Sequence, residues 1–166
     1  MSAPWRPAYV SIGSNLGEPR ARVREACERI GALPATRLLG RSRSYRSQPL
    51  GPQDQPQFVN AAVGVLTTCS ARELLTSLLA IERAMGRERR ERWGPRIIDL
   101  DLIWMTGAPI DEPGLRLPHP GVRDRNFVLY PLAEIAPTLD IPGCGRVAEL
   151  KERAGDAGLW VLSEEL

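Results

Sequence analysis

Lysine is almost absent from this sequence, and so are the features that would place a chain in a membrane. Of the 22 basic residues only Lys151 is a lysine, and 20 acidic residues leave a formal net charge of +2. So small a net charge gives no reason to expect general nucleic-acid binding. No uninterrupted apolar run reaches the roughly 18 residues of a membrane span, so none is expected. The apolar stretch 8–12 is too short for the core of a signal peptide.

Cysteine and aromatic residues are also scarce. The three cysteines, Cys27, Cys69 and Cys144, lie far apart and show no zinc-ligand spacing. Their odd number favours reduced thiols and a cytoplasmic setting. Aromatic residues make up 5% of the chain, while hydrophobic residues (43%) and charged residues (25%) are present in ordinary amounts. We expect residues 1–166 to form one domain that buries about 70% of its unfolded surface.

The sequence has instead a pair of acids within an apolar segment. Residues 97–104 read Ile-Ile-Asp-Leu-Asp-Leu-Ile-Trp, a pattern that predicts a buried strand. Because side chains alternate along a strand, Asp99 and Asp101 share one face, and Leu100 and Leu102 share the other. Two neighbouring carboxylates repel each other unless a cation lies between them. Mg2+ prefers carboxylate oxygens and usually completes its shell with water and substrate phosphates.

Arginines crowd the segment before this strand, and their planar guanidinium groups suit phosphate oxygens. Between them, Trp93, Gly94 and Pro95 indicate a shaped loop with a stiff turn. Acids and arginines together predict a magnesium-nucleotide site. The alternative is structural: the acids face solvent at a sheet edge and the arginines end a solvated helix. The arginines are Arg83, Arg87, Arg89, Arg90, Arg92 and Arg96.

Hydrophobic periodicity predicts a βαββαβ order. This order is typical of a ferredoxin-like α+β sandwich, in which helices pack on an antiparallel sheet. Ser70 and Glu73 form a capping box at the start of the second helix. Beyond this core, 146–153 favours a short helix and 159–162 a short strand. The predicted core strands cover 8–12, 37–46, 58–67 and the segment from Asp99, and the helices cover 18–31 and 70–85.

Other residues are candidates for a binding site. The loop 47–56 contains three prolines, and a loop this long in a compact domain is usually functional. Phe58 and Asn60 share a strand face, where a ring and an amide suit a planar heterocycle, or alternatively serve as core and loop cap. Glu82 near a helix C-terminus suggests a bound partner or an ordinary ion pair with an arginine. His119, between two prolines, is typical of a turn.

Several motifs occur together and in order. They are Gly13-Ser14-Asn15-Leu16, the proline-rich loop from Pro49 to Pro56, Asn60-Ala61-Ala62-Val63, Glu82 with Gly86-Arg87, Arg92-Trp93-Gly94-Pro95-Arg96 with Asp99-Leu100-Asp101, Pro118-His119-Pro120, and Arg125 with Phe127-Val128-Leu129. From about residue 8 to residue 142 the chain resembles the 6-hydroxymethyl-7,8-dihydropterin pyrophosphokinase family of folate biosynthesis. The resemblance implies transfer of the terminal pyrophosphate of ATP to the hydroxymethyl group of the pterin, with release of AMP.

The resemblance also implies roles by position. Asp99 and Asp101 would hold two Mg2+ ions, while Arg87 and Arg96 would steady the phosphates. Loops 47–57 and 86–96 would close over the substrates. The pterin site would comprise Ser47, Pro49, Leu50, Phe58, Asn60 and Phe127. The ATP site would comprise Glu82, Arg89, Arg92, Trp93, Arg116, His119 and Arg125, with Arg90 an alternative to Arg89. Leu79 and Arg116 depart from the residues that relatives often carry.

Two other function classes fit parts of the pattern. A glycosyltransferase would hold a metal-bound sugar nucleotide through Asp-x-Asp, but it needs a larger nucleotide domain. Ferredoxin-like sheets also bind RNA through exposed aromatic residues, of which this chain has few. We expect a monomer with small-molecule substrates, and neither a nucleic-acid nor a membrane partner. Pterin-dependent release of AMP from ATP distinguishes the three classes.

Overall fold

The fold is an antiparallel sheet with helices on both faces. The computed structural model describes residues 3–87 and 94–162. The strands are β1 (Arg6–Ser14), β2 (Thr36–Arg41), β3 (Tyr45–Ser47), β4 (Phe58–Thr67), β5 (Asp99–Met105), β6 (Ile110–Glu112), β7 (Leu115–Leu117), β8 (Asp140–Ile141), β9 (Gly145–Arg146) and β10 (Leu159–Val161). The helices are α1 (Pro19–Gly31), α2 (Ala71–Ala84), α3 (Asn126–Ile135) and α4 (Val147–Ala154).

The main sheet has the order β10-β3-β4-β1-β5, and β2 pairs with β4 beyond the end of β3. Strand β1 therefore lies between β4 and β5 and is antiparallel to both. Strands β1, β4 and β5, the divided strand β2–β3, and helices α1 and α2 form the predicted βαββαβ unit. The ferredoxin-like α+β prediction is confirmed.

Different helices pack on the two faces of the sheet. The α1 and α2 face contains the buried side chains of Val10, Val63 and Leu78. On the opposite face α3 approaches Gly64 so closely that an added Cβ would lie 3.6 Å from Ile135 Cδ1. The side chains of Asp99 and Asp101 also lie on this α3 face, and they line a cleft there.

The local predictions hold best where short-range signals are strong. Helix α2 begins at the predicted capping box: Ser70 N donates to Glu73 Oε1 at 2.9 Å, and Glu73 N donates to Ser70 Oγ at 3.1 Å. Strand β4 has its predicted bounds, and α4 and β10 lie within one residue of theirs. No helix in the described ranges is both long enough and apolar enough to cross a bilayer.

Two parts of the fold differ from expectation. The predicted strand 37–46 is divided into β2 and β3. At the break, the Ser42 hydroxyl accepts a hydrogen bond from Ala62 N at 2.9 Å and so replaces regular ladder pairing. Helix α3 was not predicted, and it contains Pro131, a residue that usually ends helices.

Candidate active site

Asp99 and Asp101 share the α3 face of the sheet, as the alternation of β5 predicts. Both are partly exposed, while Leu100 and Leu102 between and beyond them are buried. Strand β1 places Gly13 opposite Asp99 and Ser11 opposite Asp101. Burial and the nearby charge of Asp99 raise the pKa of Asp101. The two carboxylates thus lie in a place where a cation would stabilise their charged forms.

Arg87 links this acid pair to helix α2. Its Nη1 donates to Glu82 Oε2 at 2.7 Å and to Asp99 Oδ1 at 3.0 Å. Glu82 is only 4% exposed and also accepts from Leu100 N at 2.7 Å. Burial raises the pKa of Glu82, while the Leu100 N–H and Arg87 oppose that rise. Glu82 therefore lies behind the acid pair in an ion pair with an arginine.

His119 approaches the acid pair from the other side. Its Nε2 lies 3.9 Å from Asp101 Oδ1, which is beyond hydrogen-bonding distance. The Gly121 N–H donates to His119 Nδ1 at 3.0 Å, so the proton of the neutral ring is on Nε2. Burial and the positive charge of Arg125 lower the pKa of His119 to about 4. At neutral pH this ring is therefore an uncharged hydrogen-bond donor.

Two clefts meet at Asp101, which lines both of them. The first has a cavity volume of about 110 Å³ and the second about 270 Å³, and both open to solvent. The first cleft contains the predicted residues Ser47, Leu50, Phe58, Asn60, Arg96, Asp99, Arg125 and Phe127. The second contains the predicted residues Arg116 and His119, together with Leu75 and Leu115.

The first cleft combines aromatic rings with fixed polar groups. Asn60 Nδ2 donates to Ser47 Oγ at 2.7 Å, which fixes the orientation of the amide. An added Cβ at Gly13 would lie 3.2 Å from Asn60 Oδ1 and 3.8 Å from Phe58 Cδ1. A side chain at Gly13 would crowd the space between this amide and ring. The cleft can thus offer a flat surface and a polar edge to one ligand.

Some predicted site residues lie elsewhere. Pro49 is buried and is not among the described residues that line the first cleft, and its carbonyl accepts from Gln53 Nε2 at 2.9 Å. Leu79 is 43% exposed on the outer side of α2 and, within the described ranges, lines neither cleft. Leu75, one helical turn earlier, contributes to the second cleft instead. Arg89, Arg90, Arg92 and Trp93 lie outside the described residues.

Asn15 is a buried residue that connects several segments, a role that the sequence did not reveal. It is 2% exposed. Its Nδ2 donates to Gln55 Oε1 at 3.0 Å and to the Pro56 carbonyl at 2.8 Å. Its Oδ1 accepts from Arg96 N at 2.8 Å. Asn15 therefore joins the proline-rich loop to the segment that leads into β5. Its place in the Gly13-Ser14-Asn15 turn was the available signal, but that turn predicts a strand-to-helix connection, with direct phosphate binding as the lesser alternative.

The fold and the site define an α+β domain in which an acid pair lies where two clefts meet. Residues 9–137 match the family described as 7,8-dihydro-6-hydroxymethylpterin-pyrophosphokinase (HPPK). The chain belongs to this family, which confirms the resemblance and decides against the two alternative function classes.

Its relatives include bacterial proteins named 2-amino-4-hydroxy-6-hydroxymethyldihydropteridine pyrophosphokinase. The Methylorubrum extorquens protein is 48% identical over 136 residues, which cover 82% of this chain and 86% of the relative. The Pseudomonas aeruginosa protein is 46% identical over 142 residues, which cover 86% of this chain and 88% of the relative.

Solved structures of Plasmodium falciparum HPPK-DHPS show a similar fold. The wild type with pterin and p-hydroxybenzoate matches with a TM-score of 0.70 at 13% identity, over 91% of this chain and 43% of that chain. The wild type with STZ-DHP matches with a TM-score of 0.72, also at 13% identity, over 90% of this chain and 43% of that chain. At this identity the likeness concerns the fold alone, and this chain spans less than half of those chains.

Proposed function

We propose that the first cleft binds the pterin, that the second binds ATP, and that Asp99 and Asp101 hold Mg2+ between them. Family membership supplies the reaction, which is pyrophosphoryl transfer to 6-hydroxymethyl-7,8-dihydropterin in folate biosynthesis. The assignment of the two substrates rests on one observation: Asp101 lines both clefts. A phosphate chain held at Asp101 would be within reach of an acceptor in the first cleft.

The chemistry of the first cleft suits a pterin. Phe58 and Phe127 offer aromatic surface for a flat ring. Asn60 and Ser47 offer polar atoms for the donors and acceptors along the edge of that ring. The acceptor hydroxymethyl group would then point toward Asp99 and Asp101, which line the same cleft.

The second cleft suits a nucleotide. Leu75 and Leu115 provide apolar walls for a base, and the His119 Nε2–H provides a neutral donor. Arg116 lies on the exposed side of the cleft, where it forms a 3.5 Å ion pair with Asp111. From this cleft the triphosphate would extend past Asp101 toward Arg96 and Arg125. The expected nucleotide contacts of Arg89, Arg92 and Trp93 remain part of this proposal.

The acid pair fits a hard divalent cation that is shared with a substrate. Within the described ranges no group of three or more His, Cys, Asp or Glu side chains could hold a metal ion. Mg2+ at Asp99 and Asp101 would therefore take its other ligands from phosphate oxygens and water. Bound there, it would neutralise phosphate charge and help to align the reacting oxygens. Arg87 Nη1 already donates a 3.0 Å hydrogen bond to Asp99 Oδ1.

The reaction breaks the bond between the β-phosphorus and the oxygen that leaves with AMP. A new bond forms between that phosphorus and the hydroxymethyl oxygen, which loses its proton. Such transfers have loose transition states, so alignment and charge stabilisation matter most. Arg96 and Arg125 line the cleft that contains the acids and would stabilise negative charge on the phosphates. Neutral His119 would orient the nucleotide by donating a hydrogen bond.

The test is AMP release from ATP by the purified protein, measured with and without the reduced pterin and with Mg2+ or EDTA. We expect AMP and pterin diphosphate in equal amounts, and only when the pterin and Mg2+ are both present. AMP release that ignores the pterin, or activity that is unaffected by EDTA, would contradict the proposal.

A further inference from the structure

The segment between α4 and β10 contacts both walls of the first cleft. This segment, residues 155–158, is here called the strap. On one side Asn126 Nδ2 donates to the carbonyl of Gly155 at 3.0 Å and to that of Ala157 at 2.9 Å. Both amide hydrogens of Asn126 are therefore used to hold the strap. Asn126 is the first residue of α3, between Arg125 and Phe127, and both neighbours line the cleft.

On its other side the strap holds the edge of β3. Gln48 N donates to the Gly158 carbonyl at 3.1 Å, and Leu159 pairs with Ser47 in the ladder between β10 and β3. Ser47 and Gln48 both line the cleft. One short segment is therefore bonded to the wall that carries Phe127 and to the opposite wall that carries Ser47.

Close packing limits movement of the strap against Gln48. Gly158 has a positive φ of 69°, and an added Cβ would lie 3.2 Å from Gln48 Cγ. A larger residue at Gly158 is thus disfavoured by its backbone conformation and would press on a cleft residue. The strap therefore joins the two walls through hydrogen bonds and direct contact.

We propose that Asn126 is a positioning residue for the pterin site, acting through the strap to fix the separation of the two cleft walls. This inference rests on the proposed function of the first cleft. Asn126 acts on Phe127 and Ser47 without contacting the substrate itself. Within the described residues the side-chain hydrogen bonds of Asn126 go to the strap, which is joined to Ser47 and Gln48. We therefore expect its loss to affect pterin binding more than ATP binding.

Two variants remove the hydrogen bonds from Asn126 to the strap in different ways. Asn126→Ala removes both donors while keeping a residue that is well tolerated in a helix. Asn126→Asp keeps the size but places a carboxylate against two carbonyl oxygens. The control is Arg123→Ala. This change also breaks a hydrogen bond from a side chain to a backbone carbonyl, because Arg123 Nη2 donates to the Gly143 carbonyl at 2.6 Å. Gly143 belongs to the turn between β8 and β9, which lines neither cleft within the described ranges.

Steady-state kinetics with each substrate varied in turn test the inference, with pterin affinity also measured by calorimetry. Loss of one or two such hydrogen bonds should raise the pterin KM about tenfold in both Asn126 variants. The ATP KM should remain within about twofold of the wild-type value. Hydrogen exchange of the Gln48 amide should accelerate in both variants. Arg123→Ala should change none of these values.

Gly158→Ala provides an independent variant that leaves Asn126 intact, and it should also raise the pterin KM selectively. An unchanged pterin KM in folded Asn126 and Gly158 variants, beside an active wild type, would overturn the inference and leave the proposed function in place. Equal loss of affinity for both substrates would overturn it too, because the effect would then be general. A wild-type protein that releases no AMP in the presence of the pterin would instead overturn the proposed function.

Discussion

Asn15 and Arg96 hold each other through two reciprocal hydrogen bonds. Arg96 N donates to Asn15 Oδ1 at 2.8 Å, and Asn15 N donates to the Arg96 carbonyl at 3.0 Å. The side-chain Nδ2 of Asn15 also donates to Gln55 Oε1 and to the Pro56 carbonyl. The end of β1 is therefore the common anchor of the two segments that flank the first cleft. The backbone of Arg96 is fixed by a residue that lies far away in the sequence.

Asn15→Ala should lower turnover by displacing Arg96. The change removes the acceptor of the part-buried Arg96 N–H and the side-chain donor to the Pro56 carbonyl, at a cost of about 1–3 kcal/mol. If most of this cost is expressed in the transition state, kcat/KM falls about tenfold to a hundredfold. Thr36→Val, which breaks a hydroxyl contact with Thr67 at the opposite end of β4, is the matched control. An Asn15→Ala protein with normal kinetics would contradict this coupling.

Asp99→Asn and Asp101→Asn should each abolish most of the Mg2+-dependent activity. Each removes a proposed metal ligand at the place where the phosphate chain of ATP and the hydroxymethyl group of the pterin are expected to meet. We expect a loss of several kcal/mol of transition-state stabilisation, on the order of a thousandfold or more in kcat/KM. Asp140→Asn, on β8, is the control for loss of one surface acid. Near-normal turnover of either site variant with Mg2+ present would show that the pair does not hold the metal.

Gly121→Ala should impair activity without unfolding the protein. An added Cβ at Gly121 would lie 2.5 Å from Arg125 Cζ, so the guanidinium group would have to move. Because the end of an arginine side chain is flexible, we expect the substitution to displace the guanidinium group of Arg125 in the cleft and to leave the fold intact. We expect about a tenfold fall in kcat/KM, as for loss of one charged hydrogen bond, and an unchanged Tm. Gly31→Ala, where an added Cβ makes an ordinary 3.7 Å contact, should leave both quantities unchanged.

Glu82→Ala should destabilise the protein as well as slow it. The substitution leaves Leu100 N without its 2.7 Å acceptor and Arg87 without one of its two carboxylates. For such a buried group we expect the free energy of unfolding to fall by about 2–4 kcal/mol, as measured by urea denaturation. Glu82→Gln should recover part of the stability, because its amide oxygen can still accept from Leu100. Glu112→Ala, which breaks only an exposed pair with Arg72, should have no measurable effect.

Cys27 should resist alkylation in the folded protein. It is buried in the core, and burial raises the pKa of its thiol to about 11. At pH 8 the thiol is protonated and inaccessible, so a thiol reagent should label only the partly exposed Cys69 and Cys144. Because the folded-state pKa is above the ordinary value of 9.0, the contribution of Cys27 to stability is lost as pH rises from about 9 to about 11. Mass spectrometry would detect the labels, and early labelling of Cys27 at pH 8 would contradict the prediction.

The sequence by itself determined the local features of the site. Alternation along β5 placed Asp99 and Asp101 on one face, and the capping box at Ser70 set the start of α2. The order of strands and helices was sufficient to indicate the ferredoxin-like arrangement. These features depend on residues a few positions apart, whose geometry follows from the backbone alone.

The tertiary structure decided the features that join distant parts of the chain. Asn15 bonds to Gln55 and to Arg96, which are 40 and 81 positions away. Glu82 became an internal partner of Arg87 and Leu100 because α2 packs under β5, and helix α3 includes Pro131 where residue propensity disfavours it. Such contacts exist only after the sheet has assembled, and no local pattern of residues specifies them.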